Sequence, residues 1–301
     1  MMIFWILAGA LTLASLTTAP AIAAETACRL ERYSAVPMTT LPDGRFTVPV
    51  TANGRTLDFL VDTGGVIATV TPALANAMGL DRHSKGKYLM GVAGTVLSQF
   101  VRINDFSLGR LTGNRVDAFV DNRISELADG TLSADMMKRF DVDIDFSRSM
   151  LNLFSQDHCP GKVVYWTKEP HVALPMQIAR NGHIHVPLVL DGLKLTAVLD
   201  TGARESVISM KVAKRLGIDE KTDGVTASSS STAKYEAFYY PFKSMNFDGL
   251  EVRNPRIRVV SDEYLPYTGT DMIVGIGILR RLHLYIAYGE EKLYITPATA
   301  N

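Results

Sequence analysis

Leu57-Asp58-Phe59-Leu60-Val61-Asp62-Thr63-Gly64 ends in a tripeptide that the chain repeats. The second copy, Asp200-Thr201-Gly202, follows the apolar run Leu195–Leu199. By chance, an Asp-Thr-Gly tripeptide is expected roughly once in several thousand residues. Two copies, each at the end of a strand-like apolar run, therefore indicate a repeated structural unit.

The sequence around the two tripeptides repeats as well. Residues 45–80 align with 183–218 without a gap, at an offset of 138 residues, which is the separation of Asp62 from Asp200. The ends of the two halves also align, 131–153 with 273–295, at an offset of 142 residues. A repeat of about 140 residues is far longer than the 20–50 residues of solenoid repeats. The chain is therefore predicted to contain two homologous domains.

The composition fits a globular protein of this size. Of 301 residues, 47% are hydrophobic and 21% are charged, which provides enough apolar residues for two cores. The 31 basic and 31 acidic residues balance, and no basic run occurs. We therefore expect no nucleic-acid partner and no attraction to an anionic membrane surface.

Residues 1–23 are predicted to be a secretory signal peptide. They carry no charge, are apolar from Ile3 to Leu16 and end in Ala21-Ile22-Ala23, a small-x-small pattern typical of a cleavage site. No Lys or Arg precedes the apolar run, so the alternative is an uncleaved membrane anchor formed by residues 3–23. If the signal is cleaved, the protein is exported, to the periplasm or as a secreted protein, without stable membrane association.

The chain has two cysteines, Cys28 and Cys159. An even pair in an exported protein suggests a disulfide, and two unpaired thiols are the alternative. Two cysteines so far apart are not a metal signature, and His183 and His185 have no third ligand at a suitable spacing. No metal is expected.

Alternating and β-branched runs dominate both halves, so the predicted fold class is all-β. Residues 24–42 are a polar lead-in, either a removable pro-segment or a strand that bridges the lobes. The predicted first lobe is 43–158, a proline-containing linker is 159–180, and the second lobe is 181–301.

A short helix is predicted after each tripeptide. Thr71 as N-cap and Pro72 at the first position favour a helix that ends at Met78. The equivalent helix is predicted at Met210–Leu216, and Gly217 ends it.

Two aspartates related by a duplication meet at a pseudo-twofold axis if the halves pack face to face. Like charges a few ångströms apart cannot both ionise, so Asp62 and Asp200 would share one proton. The ionised carboxylate would take a proton from a bound water, and the protonated one would polarise a carbonyl group. This chemistry is hydrolysis by general acid and base, without a cofactor.

These motifs resemble the retropepsin/pepsin clan of aspartic proteases, and most closely the bacterial exported proteins that carry two retropepsin-like lobes in one chain. The resemblance covers roughly residues 45–154 and 183–296. It implies two acid-protease β-barrel lobes with the active site between them. It also implies an aspartic endopeptidase that acts on a polypeptide substrate as a monomer, with no metal or organic cofactor.

By the same resemblance, Asp62 and Asp200 would be the catalytic pair. The supporting residues would be threonines that grip each other beneath the carboxylates and glycines that admit the substrate backbone, namely Thr63, Gly64, Thr201 and Gly202. Glycine- and serine-rich loops would be flaps over the cleft, although their composition also fits plain surface loops. The flap candidates are Gly91, Gly94, Ser229 and Ser230.

Two positions depart from the family pattern. The family usually has Ala or Ser after Asp-Thr-Gly, so Ala203 conforms and Gly65 does not. The closing turn has Ser133 where the family prefers Gly, whereas Gly275 conforms. These departures favour one alternative function, a peptide-binding or scaffold module with little hydrolysis. The two intact aspartates favour a protease.

Overall fold

The structure is a computed structural model that describes residues 29–84, 86, 89–90, 96–124, 127–228, 237–265 and 270–298. The predicted signal peptide (1–23), Cys28 and all four flap candidates lie outside the described residues. The pairing of Cys28 with Cys159 therefore stays a prediction. No helix in the described part of the chain is long and apolar enough to cross a membrane.

The described residues form mostly strands, which confirms the all-β class. The first half contains β1 (Arg32–Pro37), β2 (Thr39–Thr40), β3 (Phe46–Ala52), β4 (Arg55–Asp62), β5 (Thr69–Val70), α1 (Pro72–Ala77), β6 (Leu89–Met90), β7 (Val96–Leu97), β8 (Phe100–Leu108), β9 (Leu111–Val120), β10 (Gly130–Ser133), α2 (Ala134–Met137), β11 (Asp141–Asp145) and β12 (Met150–Phe154).

The second half repeats this pattern. It contains β13 (Val172–Pro175), β14 (Gln177–Ile178), β15 (Ile184–Leu190), β16 (Leu193–Asp200), β17 (Ser206–Ser209), α3 (Met210–Arg215), β18 (Thr226–Ala227), β19 (Ala237–Tyr240), β20 (Ser244–Phe247), β21 (Leu250–Arg253), β22 (Ile257–Val260), a 3₁₀ turn (Asp262–Tyr264), β23 (Met272–Gly275), α4 (Ile276–Leu279), β24 (Leu282–Ala287) and β25 (Lys292–Pro297).

The first lobe is a closed six-stranded barrel. Its strands follow the order β3-β4-β10-β5-β9-β8, and β3 pairs again with β8 through Thr51 and Ser107. Alternate residues of β3, such as Val48 and Val50, are buried in the core. Closure removes the free strand edges that an open sheet would expose. The second lobe is a sheet in the order β18-β19-β22-β17-β23-β16-β15-β20-β21.

The short helices form as predicted, to within a residue at their ends. The Thr71 hydroxyl accepts a hydrogen bond from the Leu74 N–H (3.1 Å) and so caps α1. The Ser209 hydroxyl accepts from the Val212 N–H (3.2 Å) and caps α3 in the same way. Both helices therefore begin at equivalent points after the two Asp-Thr-Gly loops.

A third sheet joins the two halves. Its order is β1-β12-β11-β24-β25-β13, with three strands from each half. At its centre β11 and β24 are antiparallel, with Val142 opposite Ile286 and Ile144 opposite Leu284. Under the repeat offset of 142 residues, Val142 is equivalent to Leu284 and Ile144 is equivalent to Ile286, so the repeat exchanges the two pairs. The pseudo-twofold axis of the duplication therefore crosses the sheet at this seam.

The lead-in and the linker both contain strands that pair with the sheets of the two halves. Of the lead-in at 24–42, the structure describes residues 29–42, which contain β1 and β2, and β1 pairs with β12. That the lead-in is a removable pro-segment stays a prediction. The predicted linker at 159–180 contains β13, which pairs with β25, and β14, which pairs with β15. These strands are short and flanked by prolines. Their sequences show little alternation of apolar and polar residues. They form strands because they pair with the edges of existing sheets.

A buried polar network covers the outer face of the shared sheet. Asp141, Asp143 and Asp145 alternate along β11, and all three are buried. His158, the last residue of the first lobe, pairs with Asp141 (Nε2–Oδ2 2.6 Å), and His283 of β24 pairs with Asp143 (Nε2–Oδ1 2.5 Å). From the linker, the Tyr165 hydroxyl donates to Asp143 Oδ2. Burial opposes a charge on His158, but the hydrogen bonds to Asp141 and to the Cys159 carbonyl, together with the charges of Asp141 and Glu290, outweigh it and raise the pKa of the imidazole. The network therefore ties the linker to the seam between the halves.

The pairing of β1 generates the first prediction. Val36 is 2% exposed, whereas its neighbour Ala35 is exposed on the same strand. Val36→Asp places an unpaired carboxylate in the core and should lower the free energy of unfolding by about 3 kcal/mol or more. Ala35→Asp, the matched control, should change it by less than about 0.5 kcal/mol. Urea unfolding measures the free energy of unfolding of both variants. A loss for Val36→Asp as small as that for Ala35→Asp would show that β1 contributes little to stability.

Candidate active site

Each Asp-Thr-Gly loop holds its aspartate by backbone hydrogen bonds. The N–H groups of Gly64 and Gly65 donate to Asp62 Oδ1 at 3.1 and 2.8 Å. The Ala203 N–H donates to Asp200 Oδ1 at 2.8 Å. Backbone donors arranged in a turn fix the carboxylate without help from long side chains. The carboxylates are therefore positioned by the strand ends of β4 and β16.

The two threonines bind each other across the lobes. Thr201 Oγ1 accepts from the Thr63 N–H (3.0 Å) and donates to the Val61 carbonyl (2.7 Å). Reciprocally, Thr63 Oγ1 accepts from the Thr201 N–H (3.1 Å) and donates to the Leu199 carbonyl (2.8 Å). Both side chains are buried. These four bonds place the two aspartate loops in one fixed arrangement.

The carboxylates lie against the glycines of the opposite lobe. A Cβ atom on Gly64 would lie 2.2 Å from Asp200 Cγ, and one on Gly202 would lie 2.5 Å from Asp62 Cγ. The resemblance predicts room for a substrate backbone at these glycines. In the structure, the opposite carboxylate takes that space. Glycine is required here because any side chain would separate the two aspartates.

The proximity of the carboxylates sets their protonation. Burial raises the pKa of Asp62. Burial and the neighbouring Asp62 carboxylate raise the pKa of Asp200 to about 8. The pair therefore keeps one proton at neutral pH and titrates as a unit.

A second pair of cross-lobe contacts was not anticipated from the sequence. Arg45 Nη1 donates to the Gly202 carbonyl (3.4 Å), and His183 Nε2 donates to the Gly64 carbonyl (2.8 Å). Positions 45 and 183 are equivalent under the 138-residue offset. The sequence alignment could have indicated these contacts, because positions 45 and 183 are the first residues of the gapless alignment of the two halves. His183 uses its ring for this contact, and His185 lies near Thr270 instead.

The first-lobe member of this pair carries a permanent charge. Arg45 is held by Asp43 (Nη2–Oδ2 2.7 Å), and Arg204 also lies close enough to Asp43 to lower the pKa of that carboxyl. The guanidinium of Arg45 acts on the Asp62 carboxyl as well, where its charge lowers the pKa against the larger effect of burial. The first lobe therefore supplies a cation beside Asp62.

The second-lobe member is neutral. Burial, and secondarily the nearby His185, lower the pKa of His183, although the Gly64 carbonyl opposes this. The Asn181 amide lies 3.0 Å from His183 Nδ1, where it donates to an unprotonated nitrogen. The two lobes thus present different charges at equivalent places. This difference favours the ionised form of Asp62 and leaves the shared proton on Asp200.

Other side chains in the described part of the chain do not suggest a metal centre. No group of three or more His, Cys, Asp or Glu residues there is arranged to hold a metal ion. A cavity of about 690 Å³ lies inside the first lobe and includes Ile67 and Phe119 in its lining. Neither Asp62 nor Asp200 is among the described residues that line it.

The threonine bonds generate the second prediction. Thr63→Val keeps the side-chain volume but leaves the Leu199 carbonyl and the Thr201 N–H without their partner. The free energy of unfolding should fall by about 2–4 kcal/mol. Thr56→Val, at an exposed position of β4, is the matched control and should have little effect. Chemical denaturation compares the two, and equal stabilities would contradict the proposed dependence of the lobe contact on these bonds.

Comparison with known families agrees with this geometry. Residues 48–136 and 186–278 each match the family model described as Aspartyl protease. Each segment contains one Asp-Thr-Gly loop and the closing turn of the same lobe. None of the curated proteins matches the chain. Because the two segments together cover more than half of its residues, this chain belongs to the aspartyl protease family.

Proposed function

We propose that the protein is an aspartic endopeptidase with Asp62 and Asp200 as its catalytic pair. One observation carries this proposal: each carboxylate lies in the space beside the glycine of the opposite loop, so the two acids are forced together. Two buried carboxyl groups in contact hold one proton between them. Such a pair can act as acid and base in the same step.

The surrounding charges suggest which aspartate has which role. Asp62, beside Arg45, is ionised and takes a proton from a water molecule as the water oxygen attacks the scissile carbonyl carbon. Asp200 is protonated and gives its proton to the carbonyl oxygen, so a neutral tetrahedral diol forms. Asp62 then returns its proton to the leaving nitrogen while Asp200 recovers a proton from the diol. The peptide bond breaks, and both acids regain their starting states.

The substrate proposed for this site is an extended polypeptide. Membership of the family implies polypeptide substrates, and an extended chain can lie between the lobes and add its backbone hydrogen bonds to neighbouring strands. One chain supplies both aspartates, so we propose a monomer. We also propose that the protein is exported, to the periplasm or medium, after cleavage of residues 1–23.

The third prediction tests the catalytic pair. Asp62→Asn and Asp200→Asn should each lower kcat/KM on a mixed peptide library by at least about a thousandfold, because neither amide can share the proton. Asp58→Asn, on the exposed face of β4, should retain activity. Mass spectrometry of the products detects cleavage. Retained cleavage in either active-site variant, with the fold checked by circular dichroism, would refute the assignment.

The fourth prediction concerns pH. Activity should fall as pH rises through about 8, because Asp200 then loses the shared proton. The same proton stabilises the fold. The folded-state pKa is above the unfolded value near 3.9, so its contribution is complete below about pH 4 and is lost as pH rises towards 8.

Unfolding midpoints measured from pH 4 to 9 test this titration without any substrate. Asp200→Asn cannot titrate, so the decline in stability across this range should become smaller in that variant than in the wild type. An unchanged decline would assign the titration to another group.

A further inference from the structure

The two departures from the family pattern lie against each other. A Cβ atom on Gly65 would lie 2.5 Å from Ser133 Oγ and 2.8 Å from Asp62 Oδ2. The Ser133 hydroxyl therefore stands where a side chain of residue 65 would begin. Residue 65 must be glycine because Ser133 is present, and the two departures are one compensating exchange.

The second lobe has the equivalent backbone hydrogen bond but a different distribution of side chains. The Ala134 N–H donates to the Gly65 carbonyl (3.0 Å), and the equivalent Ile276 N–H donates to the Ala203 carbonyl (2.8 Å). In the second lobe, a Cβ on Gly275 would lie 2.5 Å from the Glu205 carbonyl oxygen and 2.8 Å from the Ala203 carbonyl oxygen, so the backbone leaves no room for a side chain there. The first lobe thus has a side chain on the closing turn and none at position 65, whereas the second has one at Ala203 and none at position 275.

A chain of hydroxyl groups fixes Ser133 in place. Thr69 Oγ1 lies 2.9 Å from Thr131 Oγ1, which lies 2.9 Å from Ser133 Oγ, and all three residues are buried. Ser133 is the N-cap residue of α2, yet its side chain makes no capping hydrogen bond. The equivalent positions in the second lobe are apolar or lack a side chain: Val207, Ile273 and Gly275. The hydroxyl chain is thus a feature of the Asp62 side only.

We infer that Ser133 is a positioning residue for Asp62, which replaces from the closing turn the side chain that position 65 lacks. This inference rests on the proposed function and deepens it. The Ser133 hydroxyl and Asp62 Oδ2 border the same space, which a Cβ on Gly65 would take. A buried hydroxyl near a carboxylate limits its movement and favours its charged form. It acts in the same direction as the Arg45 guanidinium. The same exchange removes the sequence support for an inactive binding module, because Gly65 and Ser133 fit each other.

A double-mutant cycle on stability tests the exchange independently of any activity. Gly65→Ala alone places a methyl group against the Ser133 hydroxyl, and Ser133→Gly alone empties the site, so each should lower the unfolding midpoint. The double variant G65A/S133G restores the arrangement of the second lobe and should be less destabilised than the sum of the single changes. Additive losses would overturn the inference even if peptide cleavage is established.

A second set of variants tests the effect on Asp62. Ser133→Ala should move the acidic limb of the kcat/KM profile upward by about one pH unit, because the ionised carboxylate loses a polar neighbour. G65S/S133G supplies a hydroxyl from position 65 and should return the limb towards its wild-type pH. A purely structural role would lower the unfolding midpoint of Ser133→Ala without moving this limb, and that result would overturn the inference.

The proposed function and this inference fail in different ways. If the wild-type protein cleaves no peptide at any pH, the proposed function fails. The effect of Ser133→Ala is then measured in the unfolding midpoint across the whole range from pH 3 to 9, against Asp62→Asn. A shift of the Asp62 titration in that range supports the positioning role, and an unshifted titration refutes it.

Discussion

The reciprocal hydrogen bonds between Thr63 and Thr201 are the constraint on which the site depends. Each hydroxyl accepts from the other loop and donates to a carbonyl of the opposite strand, so neither loop is complete alone. The bonds are buried, where an unpaired backbone group is costly, and this makes them specific. They bring two carboxylates together that would otherwise repel each other. The energy of the lobe contact thus opposes the cost of placing two acids side by side.

The duplication explains why these contacts come in equivalent pairs. The seam of the shared sheet, the threonine bonds and the contacts of Arg45 and His183 all relate by the same pseudo-twofold axis. A single shared proton already makes one acid differ from the other, and unequal surroundings favour one of the two places for that proton. The charge of Arg45 and the hydroxyl of Ser133 lie on the Asp62 side, whereas His183 is neutral. The backbone of the two loops follows the pseudo-twofold symmetry, whereas the charges and hydroxyl groups of the surrounding side chains do not.

Much of the fold could be predicted because the signals are local or repeated. The Asp-Thr-Gly loops, the helices capped by Thr71 and Ser209 and the two-lobed all-β architecture follow from short patterns and from the duplication. The strands β1 and β13 could not be predicted with the same ease. They are short edge strands that each end in a proline, and they form because the shared sheet offers them unpaired backbone groups.

The sequence by itself determined the two aspartates, their loops and the family pattern, since each depends on residues adjacent in the chain. Only the tertiary structure decided which distant side chains share their space. That Ser133 occupies the place of a side chain on Gly65, and that Asp200 lies against Gly64, depends on contacts between separate strands and separate lobes. Such contacts produce no regular pattern in the sequence, because side chains that pack together in the core can come from any positions along the chain.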